Sequence, residues 1–397
     1  MDILLFGGAF DPVHNGHIAI LKTAMEYKNF DKVIVMPTGT PGHKDNCKVP
    51  FAIRKHMAEL AFKKLGDHIE VSAYEGRKLE KSYSYITVDY LKETYPDAKI
   101  YFIIGADSAI NLKKWVNWQH LSESVTFLVF ARDFKEDDEL KKAVTEIRKF
   151  SPDTEILKSK IFPISSTQIR SLASKGESVQ SYTDRDVASI IKSNNLYCED
   201  FYTRTISTAE LLVPFILRRN RTIHTYNVET LAAELANTHG VNVYKARLAA
   251  LLHDIMKQSG PNTVLRRARR SDIIERIDKK PYPVLHGFAA ADYAKYEMGI
   301  EDDEILLAIK NHTCGRRGMC NLEKVIYLAD MLCAERDFPE KERLLALARQ
   351  NLDIGMERAL KSSIKWLKEK GDEIDSDSID ALKYFEKLNN HGGNDNG

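Results

Sequence analysis

The 397-residue chain has no excess of either charge: 58 lysines and arginines stand against 57 aspartates and glutamates. Bulk attraction to nucleic acid or to an anionic membrane is therefore not indicated. Cysteine is scarce. The five residues (Cys47, Cys198, Cys314, Cys320 and Cys333) are odd in number, scattered, and never form a C-x-x-C pair. That spacing argues against a disulfide framework and against a thiolate zinc site. No apolar run approaches the roughly 20 residues of a membrane span. The N-terminus enters a strand directly, without the basic and apolar regions of a signal segment. A reducing, cytoplasmic setting fits these absences.

What is present divides in two. The length favours two or three domains. Up to about residue 198, short β-rich runs at 3–6, 32–36, 69–73, 99–104, 125–130 and 155–157 alternate with amphipathic helical stretches. Such alternation predicts right-handed βαβ units and a Rossmann-like, mainly parallel sheet. From residue 199 to 390 only helical spacing persists, at 208–217, 226–237, 245–252, 288–296, 303–311 and 322–332. Glycine and proline fall between those runs as breakers. An all-α bundle is expected there, and a disordered tail over 391–397. The junction at 196–204 has little proline or glycine, so a short, stiff connection is expected.

Residues 6–17 read FGGAFDPVHNGH, between the first strand and a helix. Gly7 and Gly8 allow close backbone approach to a ligand. The helix start offers unpaired N–H groups and a positive dipole end. His14 and His17 there can donate charge-assisted hydrogen bonds to oxygens that gain charge during a reaction. Residues 164–170 read ISSTQIR, so Ser165, Ser166 and Thr167 open a second helix suited to phosphate oxygens. Arg170, one turn on, suits a bidentate polyphosphate contact, and Lys44 in PTGTPGHK (37–44) suits a point charge.

This string resembles the HxGH nucleotidyltransferases, and more narrowly the bacterial nicotinate-nucleotide adenylyltransferases. GADSAINLKKW (105–115) resembles that family in the same chain order. The resemblance implies transfer of AMP from ATP to nicotinate mononucleotide, with magnesium accompanying ATP. It implies catalytic roles for His14, His17, Lys44 and Arg170. Nucleotide contacts fall to Gly7, Gly8, Phe10, Arg132, Ser165, Ser166 and Thr167, with Asp107 and Trp115 selecting the pyridine substrate. Three positions depart from the family pattern: Gly42, Ile86 and Asp133.

A second constellation comprises His224, His253, Asp254, His286, His312 and Asp330, each in or beside a predicted helix. A bundle can gather ligands from several helices into one site. Imidazoles and carboxylates suit iron, manganese, zinc or nickel. The contexts RTIH, LLHDIMK, VLHG, NHTCGRRGM and LEKVIYLAD resemble HD-domain phosphohydrolases, in particular the bacterial HD hydrolases of diadenosine tetraphosphate. That resemblance implies two divalent metals, iron foremost, and symmetric cleavage of the dinucleotide into two ADP. Lys257 would then stabilise phosphate charge, while Arg317 and Arg336 would hold the rest of the polyphosphate. The MLCAER stretch after the last aspartate departs from the family's Glu-Pro-containing segment, although Arg336 keeps its place.

Two other readings of the second half remain: a phosphatase for other nucleotides, or a nucleotide sensor without turnover. The RRARR run at 266–270 reads as a solvated helix face or as an attractor of polyphosphate rather than of RNA, since no stacking aromatics adjoin it. Homo-oligomerisation stays open.

Overall fold

The computed structural model describes residues 1–41, 47–77, 81–131, 138–158, 164–336 and 340–391. Lys44, Arg132 and residues 392–397 of the tail lie outside them. The chain forms two compact units that divide between Glu199 and Asp200.

In the first unit, six strands build one parallel sheet: β1 (Asp2–Gly8), β2 (Lys32–Pro37), β3 (Ile69–Val71), β4 (Lys99–Gly105), β5 (Thr126–Ala131) and β6 (Glu155–Lys158). Their order is β3-β2-β1-β4-β5-β6, and every pairing is parallel. The continuous apolar runs explain this. Ile3, Leu4, Leu5 and Phe6 are all buried, as in a strand covered on both faces.

The winding direction reverses between β1 and β4, which pair with Phe6 opposite Ile103. Ligands on such sheets bind beyond the strand ends at that reversal. β1 ends there in Gly7–Gly8 and β4 in Gly105, so the loops after them share the crevice. Helices α1 (Asn15–Tyr27), α2 (Phe51–Phe62) and α3 (Ser166–Ser174) frame the first of these loops. A further pair of two-residue strands, Thr40–Pro41 and Lys81–Ser82, lies outside the main sheet. Segments that short carry no periodic signal.

The second unit is helical among its described residues. Its elements around the histidines are α4 (Arg219–Thr238), α5 (Val243–Leu252), α6 (Pro261–Ser271), α7 (Leu285–Tyr296), α8 (Asp303–Asn311) and α9 (Asn321–Leu332). Helix α5 starts at an Asn242 cap, and Ala246 and Leu248–Leu252 are all buried. The C-terminal half of this helix, Leu248–Leu252, is apolar on all sides and so belongs inside the bundle. Its C-terminal end therefore delivers the next residues, His253 and Asp254, to the interior. No helix among the described residues is long and apolar enough to cross a membrane.

In the RRARR run Arg266, Arg269 and Arg270 are exposed, as a solvated helix face requires, and Arg267 alone departs from that reading. Arg267 Nη1 lies 2.8 Å from Asp292 Oδ1 on the facing helix α7, and Arg270 Nε lies 2.5 Å from Asp292 Oδ2. Arg269 pairs with Asp278 at 2.9 Å. Arg267 is buried, and Asp292 is only 2% exposed. These arginines clamp two helices. The acid stands 25 residues from Arg267, so no local pattern announces it. Removing Asp292 takes the buried partner from Arg267 and leaves it Glu297 at 2.9 Å, so Asp292→Ala is expected to cost about 3 kcal/mol, the low end for a broken buried pair. The midpoint of urea unfolding, followed by a probe in the helical unit, measures this; an unchanged midpoint would mean that solvent screens the pair.

Candidate functional site

The loop after β1 is held by side chains from four other segments. Ala9 O accepts from Arg54 Nη1 at 2.7 Å, and Asp11 O accepts from Arg170 Nη1 at 2.7 Å. Pro12 O accepts from Ser166 Oγ at 2.9 Å, and Val13 O accepts from Thr183 Oγ1 at 2.7 Å. The Asp11 carboxylate accepts from Tyr197 Oη at 2.8 Å and from the Lys48 backbone N–H at 2.6 Å. Carbonyls engaged in this way are not left to repel an anion.

His14 and His17 begin α1, their rings stacked with centroids 3.7 Å apart. The His14 backbone N–H donates to His17 Nδ1 at 3.2 Å. An accepting Nδ1 puts the proton of a neutral ring on Nε2, which makes that atom the donor.

Several expectations for this unit need restating. A Cβ on Gly8 would come within 3.1 Å of the Phe10 ring, tighter than ordinary contact, so this glycine also serves internal packing. Ser165 caps α3, accepting from Gln168 N at 3.2 Å. Arg170 also donates to Thr167 Oγ1 at 3.0 Å, so two of its nitrogens hold the protein itself. Asp107 is exposed in the first turn after β4, beside the crevice. Trp115 is half-buried against the sheet core.

Arg54, Thr183 and Tyr197 escaped the sequence reading. Arg54 alone left a trace. It occupies the apolar face of α2 with Met57, Ala58 and Ala61, a charge at a core position.

In the helical unit the structure brings all six expected ligands together around the Asp254 carboxylate. Asp254 Oδ2 lies 3.7 Å from His224 Nε2 and 3.5 Å from His253 Nε2. Asp330 Oδ1 lies 3.0 Å from that same His224 atom and 3.9 Å from His253 Nε2. Asp254 Oδ1 lies 2.9 Å from His286 Nε2 and 3.6 Å from His312 Nε2. One carboxylate thus faces two sets of ligands, one through each oxygen.

The rings are oriented for this. His253 Nδ1 donates to Ala250 O at 2.6 Å, His286 Nδ1 to Pro283 O at 2.7 Å, and His312 Nδ1 to Ile309 O at 2.8 Å. A carbonyl only accepts, so each Nε2 lone pair points inward. His224 Nδ1 meets Glu335 Oε1 instead. The Nε2 atoms of His224 and His253 are buried and make no well-directed hydrogen bond among the described residues. Buried polar atoms rarely go unsatisfied, and convergent ones with carboxylates fit a divalent cation.

The buried charges act on one another: burial lowers the His253 imidazole, but the adjacent Asp254 carboxylate outweighs burial and raises it. Burial raises the Asp254 carboxyl, but the surrounding imidazoles outweigh burial and hold it well below the usual range. Asp330 behaves likewise, with His224 as its first opposing partner. Burial pushes His286 down to about 4, which keeps its ring neutral and able to ligate. Burial also lowers the Lys257 ammonium, whose Nζ stands 3.2 Å from His286 Nε2. Arg221 Nη1 reaches Asp254 Oδ2 at 2.8 Å, and Arg336 Nη2 reaches Asp330 Oδ1 at 2.7 Å. Arg221 was not foreseen. Arg317 stands apart: it is exposed, with its guanidinium over the Tyr384 ring.

Comparison with known proteins matches a cytidylyltransferase-like family over residues 5–172 and an HD domain over residues 221–335. A Mycoplasma genitalium protein named probable nicotinate-nucleotide adenylyltransferase/Ap4A hydrolase is 30% identical, over 88% of this chain and 94% of its own length. A probable nicotinate-nucleotide adenylyltransferase of Clostridium tetani is 38% identical, over 49% of this chain and 97% of its own. A solved HD superfamily hydrolase of Clostridium acetobutylicum, described as involved in NAD metabolism, is 29% identical with a TM-score of 0.43, over 45% of this chain and 96% of its own.

Proposed function

The chain belongs to the family of two-part nicotinate-nucleotide adenylyltransferase/Ap4A hydrolases, and from that premise we propose one activity for each unit and the residues that carry it. In the first unit, a phosphate oxygen of nicotinate mononucleotide attacks the α-phosphorus of ATP. The new P–O bond replaces the α–β linkage, and deamido-NAD and pyrophosphate leave. No protein nucleophile is needed, because such transfers depend on alignment and charge stabilisation.

His17 Nε2–H, His14 and Lys44 meet the charge that develops on the phosphates. Arg170 holds the loop at Asp11 and turns its remaining N–H groups to the polyphosphate. Asp107 and Trp115 select the pyridine nucleotide, and Arg132 adds a contact to the nucleotide. Magnesium arrives with ATP and is held by its phosphates, since this ion keeps waters and few protein ligands. The loop's own carboxylate, Asp11, already has both oxygens engaged.

The second unit hydrolyses diadenosine tetraphosphate to two ADP. His224, His253 and Asp330 would hold one divalent metal and His286 and His312 another, with Asp254 available to both. Bound there, the pair supplies Lewis acidity and brings a water's pKa near neutrality. Lys257, Arg221 and Arg336 neutralise the phosphates, and iron is the first candidate for the metal. The division of the two Asp254 oxygens between two sets of imidazoles carries this reading.

Elemental analysis of the purified full chain tests the metal, alongside product analysis on three mixtures. ATP with nicotinate mononucleotide should give deamido-NAD faster than the nicotinamide nucleotide gives NAD. Diadenosine tetraphosphate should give ADP alone. Binding of the dinucleotide without cleavage by metal-loaded protein would replace the hydrolase reading with the sensor reading.

A further inference from the structure

Three of the four inward-facing histidines sit at helix ends, and the fourth does not. His253 and His312 follow the last residues of α5 and α8, and His286 is the second residue of α7. The last carbonyls of a helix lack intrahelical partners, so His253 and His312 each find one three residues back, and His286 finds the Pro283 carbonyl in the short turn that precedes its helix. His224 lies inside α4. There the Arg221 carbonyl is already engaged, accepting from Thr225 Oγ1 at 3.0 Å as well as serving the helix. Its Nδ1 must be satisfied by a side chain, and Glu335 from beyond α9 supplies the oxygen.

Glu335 is itself held. Its Oε2 accepts from Asn227 Nδ2 at 2.6 Å, one turn along α4 from His224. Its Oε1 accepts from the Cys333 thiol at 3.2 Å. A carboxylate behind an imidazole raises its basicity as a ligand and fixes its orientation, more strongly than a carbonyl does.

We propose that Glu335 is the positioning residue of His224, and that it makes the two metal positions unequal. The position formed by His224, His253, Asp330 and Asp254 Oδ2 fills first and tightly. The position formed by His286, His312 and Asp254 Oδ1 has fewer protein ligands, with both imidazoles backed by neutral carbonyls, and fills second. This rests on the metal-site reading above.

The test uses the full chain, stripped with chelator and titrated with Mn2+, with free ion counted by electron paramagnetic resonance and heat by calorimetry. Two separate steps are expected. Glu335→Ala should weaken the tight step by about 10–100-fold, the usual cost of losing such a backing group, and leave the weak step in place. Glu335→Gln keeps an oxygen and drops the charge, so it should fall between.

Cys333 Sγ lies 3.6 Å from His224 Nδ1, so an aspartate at that position would bring a carboxylate to the ring. Cys333→Asp added to Glu335→Ala should restore tight binding. A melt of each stripped variant separates this from misfolding. If the parent protein takes up no Mn2+, the metal-site reading itself fails. If it takes up two while Glu335→Ala leaves both steps unchanged, or weakens both equally, only the positioning role is overturned.

Discussion

Replacing Asp254 with alanine is expected to abolish dinucleotide hydrolysis while adenylyl transfer continues at the parental rate. Among the described residues Asp254 is the carboxylate that faces both sets of imidazoles, Oδ2 toward His224 and His253 and Oδ1 toward His286 and His312. On the proposed reading its removal would take a ligand from both metals, and it leaves Arg221 without its carboxylate partner at 2.8 Å. Loss of one indispensable group in a hydrolytic site costs on the order of 10⁴-fold in kcat. Asp254→Asn keeps the shape and one oxygen, so it separates a lost charge from a collapsed pocket. It should fold like the parent and still lose most of the rate. ADP release from diadenosine tetraphosphate and deamido-NAD formation, measured on the same preparation, give the answer. Loss of both activities would mean that the two reactions do not have separate sites.

The sheet was legible because buried parallel strands are runs of apolar residues bounded by turns, and all six lie within a few residues of the expected positions. Helices α4, α5, α7, α8 and α9 were legible for the same reason, as apolar spacing broken by glycine and proline. The clustered histidines and aspartates were readable because both residue types are rare enough inside apolar helical contexts to stand out.

What could not be read were the partners of those groups. Arg221 and Glu335 look like ordinary surface charges in sequence, and their roles arise only when residues 221 and 254, or 224 and 335, come together. The carbonyl contacts of Arg54, Ser166, Arg170 and Thr183 share that property, since a backbone acceptor leaves no mark on residue identity. Gly8 carries a second reason that sequence does not show: its missing side chain also makes room for Phe10.

His17→Ala should mirror the Asp254 result, abolishing most adenylyl transfer and sparing hydrolysis. The tautomer carries the prediction. Because His17 Nδ1 accepts from the His14 backbone at 3.2 Å, Nε2 bears the proton and serves as a fixed donor. Losing one preorganised donor to a developing oxyanion costs about 10²–10³-fold in kcat, with KM for ATP little changed. The same ring also caps α1, so alanine removes a backbone partner as well as a catalytic one. His17→Asn distinguishes the two roles. Its side-chain oxygen can take the His14 N–H and steady the helix, but its amide does not reach where the imidazole Nε2 does. Stability should therefore return with asparagine while kcat stays low. Recovery of the rate along with the fold would reduce His17 to a helix cap and leave His14, Lys44 and Arg170 to carry the transfer.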